Sequence, residues 1–221
     1  PIIAQIVGAT SKYAKEDNNY NISVNSICDQ VTEGTKLIYL ANPNNPTGTY
    51  MNRTEIVKLM KTIPNHIVVV LDCAYAEYVM EEDYDKGFSL VEEFENILFT
   101  RTFSKSYGLA GLRIGWSYGS LHVSSILNKV KGPFNTTLVS QEIAIAALKD
   151  QDHIDRVVKA NIEVKNWFEK ELRLLNIQTK PSVANFSFIE TTLDHADKIA
   201  KHLMKDGILV RQLQSYDLPH C

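Results

Sequence analysis

The sequence predicts an α/β protein built on a mostly parallel sheet, and three observations carry that reading. Apolar runs of strand length end in polar turns, amphipathic patterns of helical period lie between them, and the reactive side chains gather just past the strand ends. Lys36-Leu-Ile-Tyr-Leu-Ala41 reads as the first strand and delivers the turn-rich Asn42-Pro-Asn-Asn-Pro-Thr-Gly48. The Asn45–Pro46 bond is the expected place for a cis peptide, because the X-Pro penalty is only about 0.5–1 kcal/mol. Asn52 with Glu55 makes a capping arrangement that opens a helix over Arg53–Thr62, whose apolar stripe is Ile56, Leu59, Met60 and Ile63. His66-Ile-Val-Val-Val-Leu-Asp72 is the near-continuous apolar run of a strand covered on both faces, and it ends in a carboxylate.

Ile97-Leu-Phe-Thr100 is the next strand and leads into Arg101-Thr-Phe-Ser-Lys-Ser-Tyr-Gly-Leu-Ala-Gly-Leu-Arg113, after which Leu112 to Tyr118 can return as another. Helical patterns follow near 121–130, 137–149 and 151–174. The last carries Val157, Val158, Ile162, Trp167, Phe168 and Leu172 on its apolar side and is expected to link two domains, 1–150 and 151–221. Beyond it, Asn185-Phe-Ser-Phe-Ile189, a helix from about Leu193 to Lys205 and a strand at Ile208-Leu-Val210 are expected to make a small α/β layer.

Composition narrows the class. The 221 residues are 44% hydrophobic and 22% charged, an ordinary balance that supplies a sizeable core. A net charge of −3 argues against nucleic acid as the main partner. No apolar run approaches the roughly 18 residues of a membrane span. Three cysteines, an odd number, exclude a complete disulfide framework and favour a reducing compartment. Cys73 adjoins Asp72 but points to the opposite face of its strand, which makes it a small buried hydrophobe rather than a nucleophile. The six histidines show no ligand spacing, so no metal is expected.

The chemistry concentrates at Lys105. A lysine is a nucleophile only when part of its population is neutral, and a crowded, cationic, partly desolvated site favours that. Thr102 and Ser104 flank it with hydroxyls and Arg113 follows eight residues later, so one loop offers an amine and a phosphate cradle together. A cofactor carrying an aldehyde and a phosphate suits such a loop. Alone the segment is weak, since Ser-Lys pairs are common on solvated faces and Asp72 alone is an ordinary strand-end carboxylate. Asn45, Asp72 and Tyr75 at two further strand ends give the set its weight.

Asn45-Pro-Thr-Gly48, Asp72-x-Ala-Tyr75 and Ser104-Lys105 with Arg113 stand in the order and spacing of the pyridoxal-phosphate aminotransferases of fold type I, which the chain resembles. Within them it is most similar to the histidinol-phosphate aminotransferases, a likeness that continues through Gly132-Pro-Phe-Asn135, Ala184-Asn-Phe186 and Gly207-Ile-Leu-Val-Arg211. The resemblance implies the three-layer α/β/α large domain of that fold, followed by part of a small C-terminal domain. It implies that Lys105 holds the aldehyde of pyridoxal 5'-phosphate, yields it to the incoming amine, and then moves a proton between substrate and cofactor. Asp72 would pair with the pyridine nitrogen. Asn45 and Tyr75 would hydrogen-bond the ring phenolate, Thr102, Ser104 and Arg113 would hold the phosphate, and Arg211 would meet the substrate's acidic group.

The activity so implied converts histidinol phosphate and 2-oxoglutarate to imidazole acetol phosphate and glutamate, a step of histidine biosynthesis, in a cytoplasmic homodimer with shared active sites. The alternatives are an aromatic amino-acid aminotransferase, a decarboxylase of a phosphorylated amino acid or, in another class, the cofactor-sensing domain of a transcription regulator. The family's chains are longer. The resemblance therefore implies further segments bearing a lid, a second phosphate loop, a stacking aromatic ring and another arginine, without which these residues are expected to be inactive.

Overall fold

Four central strands lie side by side in the order in which the chain makes them, and that order places the three polar loops next to one another. The computed structural model describes residues 2–221. Helices α1 (Ile2–Ile6) and α2 (Val24–Cys28) precede strand β1 (Leu37–Ala41), α3 (Arg53–Thr62) and β2 (Val68–Asp72). A single 3-10 turn at Ala76–Tyr78 and the short helix α4 (Phe88–Glu93) lead to β3 (Ile97–Thr102), then a 3-10 turn at Ala110–Leu112 and β4 (Gly115–Gly119). Three helices follow, α5 (Leu121–Val130), α6 (Leu138–Lys149) and α7 (Gln151–Leu174). The chain closes with β5 (Thr179–Lys180), β6 (Phe188–Ile189), α8 (Leu193–Lys205) and a 3-10 turn at Gln214–Tyr216.

β1, β2 and β3 are parallel, with Ala41 opposite Asp72 and Asp72 opposite Thr100, while β4 returns antiparallel along β3. β2 and β3 are covered on both faces, as the unbroken apolar run of β2 requires, whereas Leu37 and Tyr39 on the edge strand β1 are exposed. Val69, Leu71, Ile97 and Phe99 point into the main core against Ile27 of α2, Ile56, Leu59 and Met60 of α3 and Leu90 of α4. Val70 and Leu98, one residue out of phase, meet Val123 of α5 on the other side. Phe99 is fully buried, with Phe88 and Trp116 edge-on at centroid distances of 5.0 and 5.6 Å.

The helix starts follow local chemistry. Asn52 accepts from the Glu55 N–H while the Glu55 carboxylate accepts from the Asn52 N–H, a complete capping box at the head of α3. Thr137 caps α6, and Asp150 both ends α6 and caps α7 through the His153 N–H at 3.1 Å. Cys73 is buried in the main core, as its place beside Asp72 predicts, and burial pushes its thiol up to about 11.

The structure departs from the sequence expectations in four places. Ile208, Leu209 and Val210 form no strand: they are exposed, and no neighbouring strand among the described residues takes up their backbone groups. The small sheet there is instead the two-stranded antiparallel pair β5–β6, whose first strand carries no apolar run to announce it. The cis peptide is Asn42–Pro43 rather than Asn45–Pro46. Asn42 is buried, its side chain tied to the backbone N–H and C=O of Met51 at 2.8 and 3.1 Å, whereas Asn45 stands at the surface. Finally, only the first half of α7 is inserted: Ile154 and Val158 are buried, but Trp167 and Phe168 are exposed.

Candidate active site

The polar ends of β1, β2 and β3 converge because parallel strands in register deliver their loops to one edge. Asp72, the last residue of β2, is half-buried. Its Oδ1 accepts the Ala74 N–H at 3.2 Å and its Oδ2 accepts the Tyr39 hydroxyl from β1. That bond and, more strongly, burial raise the Tyr39 phenol above its ordinary range, so the hydroxyl remains a donor to the carboxylate.

Asn45 donates from Nδ2 to the Tyr75 hydroxyl at 2.9 Å, which joins the β1 loop to the β2 loop. Tyr75 is held from below. Phe186 meets it edge-on at 5.3 Å, and Ile154 and Val158 of α7 pack with it in a separate apolar cluster. The Asn45 loop rests on the same support through Gly48. At φ +77 this residue adopts a left-handed conformation that suits glycine, and an added Cβ would lie 2.1 Å from the Ser182 hydroxyl oxygen. The Val183 N–H donates to the Gly48 carbonyl at 2.9 Å. Lys165 of α7 donates from Nζ to the Ser182 carbonyl and, at 3.4 Å, to that of Ala184. Burial lowers its pKa from the ordinary lysine value.

Lys105 extends toward the same group, its Nζ lying 5.2 Å from the centre of the Tyr75 ring, within cation–π range. Its loop is closed by the Gly108 N–H on the Lys105 carbonyl at 2.9 Å and the Leu109 N–H on Phe103 at 2.8 Å. Lys105 is exposed and the neighbouring Ser106 is buried. Thr102 ends β3 and accepts the Ser104 N–H at 3.1 Å, which fixes the turn and leaves its own hydroxyl proton free to donate. Arg113 sits at φ 51 just after the 3-10 turn. Its guanidinium is exposed except for a bond to the Ala110 carbonyl at 2.9 Å.

Asn45, Tyr75 and Lys105 are thus joined by direct contacts, with Asp72 at the head of the same turn and Thr102, Ser104 and Arg113 on the lysine loop. Arg211 lies on the exposed stretch after α8, and no hydrogen bond or ion pair among the described residues joins it to Asp72, Tyr75 or Lys105. Sequence reasoning missed Tyr39, Phe186 and Lys165. A lone aromatic hydroxyl in the aliphatic run of β1 marks the first. A lysine in phase with Ile154 and Val158, where the period of α7 calls for an apolar residue, marks the last. A cavity of about 260 Å³ lies beside Tyr39 and Asn42, lined also by Lys12 and Glu16. Neither Lys105 nor Asp72 lines it; Asn45, Lys105 and Arg113 form an exposed rim, with Asp72 half-buried and Tyr75 buried.

This rim offers a carboxylate, a paired amide and phenol, a primary amine, two hydroxyls and a guanidinium within three adjoining loops. The profile of the class I and II aminotransferases matches residues 2–221. The chain belongs to that family. It is 40% identical to a histidinol-phosphate aminotransferase of Rhodopseudomonas palustris (strain BisB18) over 225 residues, covering 99% of this chain and 60% of that one. It is 42% identical to one of Zymomonas mobilis, with 100% and 60% covered. The crystal structure of histidinol-phosphate aminotransferase from Sinorhizobium meliloti, solved in complex with pyridoxal-5'-phosphate, superposes with a TM-score of 0.86 at 28% identity over 93% of this chain and 56% of that one. The fold is therefore that of the fold type I aminotransferases. The chain spans about 60% of the length of the curated relatives it matches.

Proposed function

We propose that this chain carries the cofactor-holding part of a pyridoxal-phosphate-dependent aminotransferase that exchanges the amino group of histidinol phosphate with 2-oxoglutarate, giving imidazole acetol phosphate and glutamate. The observation that carries the reading is the Asn45–Tyr75–Lys105 cluster beside Asp72: a phenol fixed by an amide, with a primary amine over its ring, at the end of a buried parallel strand. The donor set suits the cofactor group by group. Asp72 is an acceptor for a protonated ring nitrogen, Asn45 and Tyr75 are donors for a phenolate oxygen, and Thr102, Ser104 and Arg113 are donors for a phosphate. When bound, the cofactor supplies an aldehyde that takes up the amino group and a protonated ring that accepts the electron pair left on the substrate's α-carbon.

The chain's own residues would do the rest. Lys105 would hold the cofactor by its aldehyde and, as a free amine, would be placed to carry a proton to and from the substrate's α-carbon. Asp72, oriented by Tyr39 and the Ala74 N–H, keeps the ring nitrogen protonated by placing negative charge beside it. Arg211 would take the substrate's phosphate, a role that suits a guanidinium with no hydrogen-bond or ion-pair partner among the described residues. The cofactor-binding part would run over 1–150 and the smaller part over 151–221, with Asp150, the shared cap of α6 and α7, at the division. A cytoplasmic homodimer with active sites shared between subunits completes the reading, and the names of the curated relatives support the histidine-pathway substrate.

The test is a comparison of kcat/KM for histidinol phosphate, phenylalanine, tyrosine and aspartate in the protein as its gene encodes it. Histidinol phosphate is expected to give the highest value. A clear preference for a neutral aromatic substrate would overturn the substrate assignment and leave the cofactor reading standing.

A further inference from the structure

Arg101 and Glu77 form an ion pair inside the protein, with side chains only 5% and 12% exposed. Arg101 lies on β3 four residues before Lys105, and Glu77 lies in the turn two residues after Tyr75. One guanidinium nitrogen donates to Glu77 Oε1 at 2.8 Å and the other to the Lys86 carbonyl at 2.9 Å, while the guanidinium carbon stands 5.7 Å from the centre of the Phe99 ring. Burial, and after it the Glu77 charge, raises the phenol of Tyr107, two residues past Lys105, while the Arg101 charge opposes that shift. A single pair therefore spans the two segments that carry Asp72, Tyr75 and Lys105.

Stability gives little reason for such a pair. Arg101 Nε and Glu77 Oε2 are buried with no hydrogen-bond partner among the described residues. Desolvation of an incompletely bonded pair offsets most of its attraction, and buried ion pairs are often replaceable by apolar residues of similar volume at no loss. Its geometry, in contrast, is restrictive. A planar guanidinium that reaches a carboxylate on one segment and a carbonyl on another fixes their separation and angle, which a lysine ammonium or an apolar contact would not.

We propose that Arg101 and Glu77 are positioning residues that set the Asp72–Tyr75 turn against the Lys105 loop, an inference that rests on the reading of Lys105 as the cofactor-holding amine. The experiment uses the protein as its gene encodes it, with pyridoxal phosphate as the probe. It compares wild type, Arg101→Met, the double variant Arg101→Met with Glu77→Met, and Arg101→Lys. Each is measured for melting temperature and for the fraction of Lys105 trapped by borohydride at one subsaturating cofactor concentration.

Arg101→Met strands the Glu77 charge and should melt well below wild type, and the double variant should recover most of that loss. Trapping at Lys105 should nonetheless stay at least about tenfold below wild type in the double variant, because misplacement on the scale of an ångström carries such penalties. A double variant that is stable and traps like wild type would overturn the inference. Should the double variant fail to fold, Arg101→Lys decides: it keeps the charge and loses the two-armed geometry, so wild-type trapping there would equally overturn the proposal. A wild-type protein that traps nothing at Lys105 would overturn the cofactor reading and this inference together, a result distinct from either variant outcome.

Discussion

Val69, Leu71, Ile97 and Phe99 of the central sheet are all 1% exposed or less, whereas Ile208, Leu209 and Val210 near the other end of the chain are 52, 81 and 49% exposed. Val68–Leu71 of β2 and Ile208–Val210 are both short apolar runs, and each is followed by a polar residue that the family resemblance leads one to expect is functional, Asp72 after the one and Arg211 after the other. The difference is in what fixes them. Asp72 follows a strand paired on both sides and covered on both faces, so its carboxylate is placed by the ladder and by Tyr39. Arg211 follows a segment that pairs with no strand among the described residues, and its guanidinium is placed by nothing comparable. An apolar run positions a reactive group only where other elements bury it.

The largest expected effect tests that contrast in the core. Phe99→Ala should lower unfolding free energy by about 3–5 kcal/mol, through lost burial and the cavity left among Phe88, Trp116 and Leu90. Leu209→Ala, on the exposed stretch, should stay within about 0.5 kcal/mol of wild type. Urea denaturation of both variants checks this, and comparable losses would erase the contrast.

Next in size is the effect of Asp72 itself. Asp72→Asn should keep the cofactor bound yet slow transamination at least about 10²-fold, because the amide no longer stabilises positive charge at the ring nitrogen. Single-turnover kinetics on the loaded protein reads this, and near-normal turnover would mean that the carboxylate does not serve the ring.

The smallest effect is a pH dependence from the buried face. The Cys73 thiol is raised by burial from an ordinary 9.0 to about 11. The unfolded thiol therefore ionises first, and between those values the folded state holds more protons, so the stabilisation present below pH 9 is lost as pH rises. In Cys73→Ala that contribution is absent. The loss of stability from pH 9 to 10 should be smaller in the variant by on the order of 1 kcal/mol, measured as urea midpoints. Identical slopes would show that the thiol does not titrate as its burial dictates.

Much of this was legible in the sequence. The capping box at Asn52 and Glu55, the stripe Ile56, Leu59, Met60 and Ile63, and the run ending at Asp72 are local patterns, and the structure realises each of them. Asn45, Tyr75 and Lys105 were nameable from their motifs, but their contact depends on strand register, which no local pattern states. Tyr39, Phe186, Lys165 and the Arg101–Glu77 pair escaped notice because each acts through a partner far along the chain, from 17 residues for Lys165 on Ser182 to 111 for Phe186 on Tyr75. The strand expected at Ile208–Val210 failed for the complementary reason: β-branched residues favour extended backbone, but only a partner makes a strand.

The central claim is that Lys105 is the amine that holds the cofactor. It is tested most directly by borohydride reduction of the protein, as its gene encodes it, in the presence of pyridoxal phosphate, followed by peptide mass mapping. One pyridoxyl adduct is expected, on the peptide that contains Lys105, and it should disappear in Lys105→Ala. A stoichiometric adduct on any other lysine, the half-buried Lys165 included, with Lys105 unmodified, would contradict it.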